Sequence, residues 1–389
     1  MKVALVHDWL NGMRGGEFVL EAIGEIYPDA EIFTLFFDPE NLSEKIKSHK
    51  INTSFIQNLP LRKKHYRHYL PLFPGAIERF DLKNFDMVIS SSHSVAKAAM
   101  AGSGKLHICY CHSPMRYVWD RFDDYFPRSE INIFRYQFIR QIASRLRRWD
   151  RRTAARVDLF VANSSFVKWR INEYYNRPAV VLHPPVDTRF YTPAAEDKGD
   201  YFLTAGALVP YKKTELIIEA FRNINEKLVV TGDGPEFKKL VYAAPDNVEF
   251  TGWLDREKLR DYYRNCKALI YAGVEDFGII PVEAQACGKP VIAYGRGGLL
   301  DTVIGPSIKN YHDHRGFKSG LFFDEQSPGS ISRALEVFQT LEFNSADIAG
   351  NAQNFSREIF TSSFQDLISR ALDTITNHGK TGFEERMSG

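Results

Sequence analysis

Cysteine is scarce. There are four in 389 residues, too few for the disulfide framework of a small secreted domain. Cys109 and Cys111 stand one residue apart in the alternating run HICYCH at 107–112. That spacing suits neither a zinc site nor a CxxC redox pair, and both read as buried strand thiols. Cys266 and Cys287 read as core thiols in helical surroundings. Net charge is also nearly absent: 50 Lys and Arg against 48 Asp and Glu leave +2. A dedicated nucleic-acid binder would carry a large basic excess, so that class of partner is not expected. No run of 18 apolar residues occurs, which excludes an ordinary membrane-spanning helix. The apolar run at 3–6 is too short for the core of a signal peptide. The expectation is a cytoplasmic protein, soluble or peripheral to a membrane.

What is present is ordinary globular composition, 44% hydrophobic and 25% charged, in a chain too long for one core. Two domains follow as the expectation. Apolar, β-branched runs at 2–7, 31–37, 86–92, 107–112, 158–164, 179–183, 201–206, 227–232, 247–252, 268–273 and 290–295 read as strands. Amphipathic segments such as 16–27 and 214–224 lie between them. Strands alternating with helices imply parallel sheets covered on both faces, and this many strands exceed one ordinary open sheet. The break falls in HPPVDTRFYTPAAEDKGD at 183–200, with three prolines and no periodicity. The fold class is therefore α/β, two doubly wound domains, with ligands at the carboxyl ends of the strands and a cleft between the domains. Splitting after Val186 uncovers an asymmetry. Residues 1–186 carry 27 Lys and Arg against 19 Asp and Glu, a net +8; residues 187–389 carry 23 against 29, a net −6.

The strongest local pattern is Glu275-Asp-Phe-Gly-Ile-Ile-Pro-Val-Glu283, between a strand and a helix. Pro281 suits the first position of that helix, which puts Glu283 in its first turn and Glu275 in the preceding loop. Free N–H groups of Gly278, Ile279 and Ile280 can face a phosphate at the positive helix end. Carboxylates on either side can accept hydroxyl protons from a polyol. By itself the segment also fits an acidic first turn that stabilises any helix. Lys212 and Lys213 open the next amphipathic segment after a strand, as a diphosphate-neutralising pair or a solvated one. Gly232 and Gly252 end two further strands. Gly12-Met-Arg-Gly-Gly16-Glu17 follows the first strand, where glycine lets a backbone approach a phosphate or sugar closely. Its spacing is not that of the dinucleotide fingerprint.

Taken in order, Gly15-Gly16-Glu17, His112-Ser-Pro-Met-Arg-Tyr-Val-Trp-Asp120, Asn163-Ser164, Pro184-Pro-Val-Asp187, Val209-Pro-Tyr-Lys212, Gly232-Asp-Gly-Pro-Glu236 and the Glu275–Glu283 segment resemble the family 4 retaining glycosyltransferases. The nearest likeness is to GDP-mannose-dependent mannosyltransferases of bacterial O-antigen and exopolysaccharide assembly, from Met1 to about Ile359. The resemblance implies a GT-B fold: an acceptor-binding domain at 1–186, a nucleotide-sugar domain at 187–360, and a last helix at 361–380 crossing back to the first domain. The apolar spacing of Phe364, Leu367, Ile368, Leu372 and Ile375 suits such a helix. By the same resemblance Glu275 holds the donor sugar, Glu283 the ribose and Lys212 the donor phosphates. His112 stands near the transferred sugar, and Gly15 and Gly16 meet the diphosphate. One departure is Ala207, where the family commonly has Arg; Arg14, Arg296 and Lys213 are the candidate replacements. The expected reaction transfers a hexose with retention, through front-face attack in which the leaving phosphate takes the acceptor proton. No strand-end Asp-x-Asp pair occurs in the second half, so no divalent metal or other cofactor is expected. A UDP-sugar donor and a catalytically weak sugar-nucleotide-binding subunit are the alternatives.

The basic half concentrates its charge in two places. Residues 61–70 mix Arg62, Lys63 and Lys64 with aromatic residues. Residues 128–156 carry nine arginines around an apolar stripe of Ile131, Phe134, Phe138, Ile142, Leu146 and Trp149 at helical spacing, with Arg140, Arg147 and Arg151 on the opposite face. This reads either as a surface helix packed on its domain, or as a surface for anionic lipid headgroups or an acceptor pyrophosphate. The expected partners are thus a nucleotide sugar, GDP-mannose first, a lipid-linked saccharide and an anionic membrane.

Overall fold

The computed structural model describes every residue except 129–130, 196–198, 314, 381 and 389, with the side chains of 384, 385 and 388 also left out. The chain divides into two compact units, Met1–Pro185 with Phe360–Gly389, and Val186–Ile359.

The first unit is built on seven parallel strands: β1 (Val3–His7), β2 (Glu31–Thr34), β3 (Ile51–Thr53), β4 (Met87–Ser92), β5 (Leu106–Cys111), β6 (Leu159–Ala162) and β7 (Ala179–Val181), in the order β3-β2-β1-β4-β5-β6-β7. β1, β4, β5 and β6 are buried along their whole length, as strands of a sheet covered on both faces are. The long helix Arg357–His378, which the short helix Phe383–Ser388 follows, buries Phe360, Phe364, Leu367, Ile368 and Ala371 in this unit's core.

The second unit has six parallel strands: β8 (Tyr201–Ala205), β9 (Leu228–Thr231), β10 (Val248–Gly252), β11 (Cys266–Tyr271), β12 (Val291–Tyr294) and β13 (Gly320–Phe323), in the order β10-β9-β8-β11-β12-β13. In both sheets the order reverses beside the first strand. β1 pairs with β2 and β4, and β8 with β9 and β11. Each unit therefore has a topological switch point, where doubly wound folds leave a crevice at the strands' carboxyl ends.

Four sequence expectations change. Among the described residues the strands number thirteen, the two additional ones being β3 and β13, edge strands of three and four residues. Cys266 opens β11 rather than lying in a helix. The segment 214–224 is an α-helix only over Thr214–Ala220, followed by a 3₁₀ turn at Phe221–Asn223. The proline-rich stretch at 183–200, whose residues 196–198 lie outside the described ones, is partly core: Val186 and Tyr191 are buried in the second unit. The Val186 N–H donates to the Phe355 carbonyl at 2.8 Å.

Candidate active-site constellations

At the switch point of the second unit, the end of β11 and the loops after β8 and β11 bring three side chains together. Lys212 Nζ donates to the Tyr271 hydroxyl at 2.7 Å, and that hydroxyl donates to Glu275 Oε1 at 2.6 Å. Lys212 Nζ also lies 3.3 Å from Glu275 Oε1, and both side chains are only 15% exposed. Burial opposes the ammonium charge of Lys212, but Glu275 and Tyr271 carry its pKa well above the usual lysine value. Burial, with the carboxylate of Glu275 beside it, likewise raises Tyr271. The result is a fixed cation at the crevice. Sequence reasoning placed Lys212 and Glu275 and missed Tyr271, which ends an apolar strand and reads there as core.

The turns around this group need glycine. A Cβ on Gly232 would come within 1.9 Å of the Gly206 carbonyl oxygen, and one on Gly206 within 2.9 Å of Ile280. The Gly232 N–H donates to the Gly252 carbonyl at 2.8 Å, so the strand-end turns after β8, β9 and β10 are stacked together. Glu275 is held by backbone as well. The Gly298 N–H donates to its carbonyl at 2.8 Å, and a Cβ on Gly297 would meet that oxygen at 2.6 Å. Lys213 is left-handed at φ 57 and reaches Glu215 at 3.9 Å.

Gly278, at φ 95, caps the helix Ile279–Ala286. Pro281 is therefore its third residue, not its first, and Glu283 falls in the second turn. The left-handed glycine lets the helix begin two residues earlier than proline preference suggests. The first N–H groups of any α-helix have no intrahelical acceptor, and those of Ile279 and Ile280 begin this one. Glu283 accepts from the Tyr263 hydroxyl at 3.0 Å. Burial raises its pKa to about 7, against the lowering effect of Tyr263 and Arg256.

The first unit carries its own constellation at its switch point. His7 ends β1, Ser91 lies near the end of β4, and His112 follows β5 directly. Ser91 Oγ is 3.1 Å from His7 Nδ1 and 2.8 Å from His112 Nε2. Asp8 is fully buried and accepts from four backbone N–H groups, those of His93, Ser94, Val95 and Ala96, at 2.6–2.9 Å. Its Oδ2 is also 3.1 Å from His93 Nδ1. Burial lowers His7, His93 and His112 to about 3, so all three rings are neutral near pH 7. Gly15 and Gly16 open the helix Gly15–Ile26. A Cβ on Gly16 would lie 3.5 Å from both His112 and His7, so the glycine backbone lies directly on these rings. His7, Asp8, Ser91 and His93 were not legible, because 84 residues separate His7 from Ser91.

The basic segments are less uniform than their charge suggests. Arg62 donates to the Gln57 carbonyl at 2.7 Å, and Lys63 pairs with Asp38 at 2.9 Å. Arg147 donates to the Val118 carbonyl at 2.7 Å. These three cations have partners within the unit, although Lys63 and Arg147 are exposed, as are Lys64, Arg140 and Arg151. The helix itself spans Ile133–Thr153. Its second half packs on the domain through Ala143 and Leu146, but Phe134 is 86% and Phe138 63% exposed. The expected stripe is covered over only half its length. Among the described residues, no helix is long and apolar enough to cross a membrane.

Comparison with known proteins bears on both units. The family profile described as Glycosyltransferase Family 4 matches residues 29–190, and that described as Glycosyl transferases group 1 matches residues 188–355. An uncharacterized glycosyltransferase of Methanocaldococcus jannaschii is 27% identical over 209 residues, 52% of this chain and 55% of that protein. The D-inositol 3-phosphate glycosyltransferase of Mycolicibacterium smegmatis is 30% identical over 180 residues, 40% of this chain and 42% of that protein. The chain thus spans about half the length of the curated relatives it matches. The crystal structure of HepE from Anabaena in complex with UDP and glucose superposes with a TM-score of 0.63 at 16% identity, over 95% of this chain and 99% of that one. Two doubly wound sheets and two adjoining family profiles lead to one assignment: the chain belongs to the GT-B glycosyltransferases of family 4.

Proposed function

We propose that this protein is a retaining mannosyltransferase that moves mannose from GDP-mannose to a lipid-linked saccharide at the inner face of the cytoplasmic membrane. The observation that carries the reading is the Lys212–Tyr271–Glu275 group at the β8–β11 switch point, next to the helix that begins at Ile279. In glycosyl transfer the bond from the anomeric carbon to the β-phosphate oxygen breaks and negative charge grows on that phosphate. A buried, permanently protonated lysine and a helix N-terminus are preorganised for such charge. Glu275 takes the sugar hydroxyls, Glu283 the ribose, and His112 the transferred sugar. Gly15 and Gly16 meet the diphosphate, and Gly232, Gly252 and Lys213 line the nucleotide side. The acceptor oxygen attacks from the face the phosphate leaves, and its proton passes to the departing phosphate. This scheme needs no divalent metal, since Lys212 and the helix end supply the positive field.

The acceptor surface is assigned to the first unit. Exposed Phe134 and Phe138, on the same helix as exposed Arg140 and Arg151, have the chemistry of a helix that inserts rings among anionic headgroups.

Calorimetric titration with GDP and with UDP, followed by transfer assays with GDP-mannose in excess EDTA, tests the reading. Micromolar GDP binding and metal-independent mannose transfer are expected. Glu275→Ala, Lys212→Ala and His112→Ala should each lower turnover by about 10²-fold or more with melting temperatures near that of the native chain. UDP binding without GDP binding would replace the donor; undiminished turnover in the three variants would discard the site.

A further inference from the structure

Three buried polar side chains stand behind His112 and have no part in the scheme above. Ser91 and His7 are almost wholly inaccessible, and Glu17 is 4% exposed. They form a line. Glu17 Oε1 is 4.0 Å from His7 Nε2, His7 Nδ1 is 3.1 Å from Ser91 Oγ, and Ser91 Oγ is 2.8 Å from His112 Nε2.

A serine hydroxyl has one proton. It can donate to one of the two rings, and must then accept from the other. Both rings are neutral, so only two arrangements satisfy both contacts. In one, His7 donates from Nδ1, Ser91 donates to His112 Nε2, and the His112 proton sits on Nδ1. In the other, His112 donates from Nε2, Ser91 donates to His7 Nδ1, and the His7 proton sits on Nε2. The far end of the line distinguishes them. His7 Nε2 is buried and has no hydrogen-bond partner among the described residues. The group it faces is the Glu17 carboxyl, whose other oxygen accepts from the Arg14 N–H at 3.1 Å. A lone pair on His7 Nε2 would be set against carboxylate oxygen; an N–H there is attracted to it. The second arrangement is therefore favoured when Glu17 is ionised. Burial raises Glu17 to about 7, so the carboxylate form prevails on the alkaline side of neutrality.

We infer that Glu17, His7 and Ser91 are positioning residues that hold the His112 proton on Nε2, so that His112 presents a bare Nδ1 as acceptor for a hydroxyl of the sugar substrate. Among the described residues nothing is bonded to His112 Nδ1, and the side chain is half-buried rather than enclosed. The ring nitrogen that meets the substrate is set by the hydrogen bond the other nitrogen makes. The inference rests on the glycosyltransferase reading for the identity of the hydroxyl, but the proton's place does not depend on it.

The test is ¹⁵N-histidine labelling of the full chain at pH 8, with two-bond ¹H–¹⁵N correlations read without any sugar nucleotide. His7 and His112 are expected as single Nε2–H tautomers, and Ser91→Ala is expected to give His112 the mixed tautomers of a free imidazole. A native His112 protonated on Nδ1, or a pure Nε2–H form surviving in Ser91→Ala, would overturn the relay. Kinetics supply the second arm. Ser91→Ala and His7→Leu should lower kcat about tenfold, the cost of one misdirected hydrogen bond, with donor KM within about twofold. His7→Asn, whose amide can accept at the former Nδ1 position, should restore most of kcat. Equal loss in His7→Asn and His7→Leu would reduce His7 to packing. If the chain transferred no sugar, the tautomer result would still decide the relay and only the functional reading would fall.

Discussion

A single oxygen atom joins the cation and the carboxylate of the second unit. The Tyr271 hydroxyl accepts from Lys212 and donates to Glu275, so Tyr271→Phe removes one hydrogen bond from the ammonium and one from the carboxylate. The 3.3 Å ion pair survives, so no buried charge is orphaned. Hydrogen bonds to charged groups contribute about 1.5–3 kcal/mol each. The expected outcome is therefore a loss of about 10- to 100-fold in kcat/KM with a melting temperature close to native. Initial rates and a thermal melt check it; native-like rates would show that Lys212 and Glu275 are placed by backbone alone. At this scale legibility depended on context. Lys212, Glu275 and Glu283 stood out through the order of motifs around them, since by themselves an acidic first turn and a solvated lysine pair explain such residues equally well. Tyr271, His7 and Ser91 sit within or at the end of buried strands, where a sequence shows only another residue of the run. Their contacts arise from neighbouring strands, β1 with β4 and β8 with β11, that are far apart in the chain.

The helix Ile133–Thr153 has two halves with different physics. Its second half carries Asp150, which is fully buried and pairs with buried Lys97 at 3.0 Å. Asp150 Oδ2 also accepts from Trp119 Nε1 and from the Tyr175 hydroxyl, each at 2.8 Å. Asp150→Ala would leave Lys97 charged and uncompensated in the core, so a loss of about 3–5 kcal/mol is expected, seen as a lower urea midpoint. A midpoint within experimental error of native would mean Lys97 escapes to water. The first half is the opposite case. Phe134 and Phe138 contribute little to stability because they are largely exposed. Phe134→Ser with Phe138→Ser should leave the melt unchanged while reducing flotation with anionic vesicles at low salt. Undiminished flotation would confine the membrane contact to the arginines. The apolar period located this helix, since it states which residues share a face. It could not state where the domain surface ends and half of that face is left uncovered. Two of the four edge strands, β3 and β13, are absent from the strands expected of the sequence; each is fixed by pairing with a single neighbour, β2 or β12, which lies elsewhere in the chain.

Across the whole molecule, the buried titratable groups are divided unequally between the units. His7, His93 and His112 are lowered to about 3 and His107 to about 4 from 6.5, chiefly by burial, and all four lie in the first unit. A depressed histidine contributes stability that is complete above pH 6.5 and is lost as the unfolded chain takes up protons the native state refuses. Glu17, in the same unit, is raised to about 7, and Asp8 is also raised, chiefly by burial. Their contributions have the opposite sign: Glu17's is complete below 4.5 and lost as pH rises through about 7. Between pH 4.5 and 6.5 four histidines therefore act against Glu17, and acid weakens the first unit. In the second unit the group with a comparable shift in that window is Glu283, raised to about 7 by burial, so acid strengthens that unit. Scanning calorimetry from pH 7 to pH 5 should move the first unit's transition down by about 5 °C or more, while the second holds or rises. His107→Gln makes the effect assignable, because His107 bonds Ser90 at 2.9 Å and touches neither constellation. That variant should flatten the first unit's acid dependence and leave the second unit unchanged. A first transition that rises in acid, or two that fall together, would mean these rings are hydrated and not buried, and would remove the neutral-ring premise on which the tautomer of His112 rests.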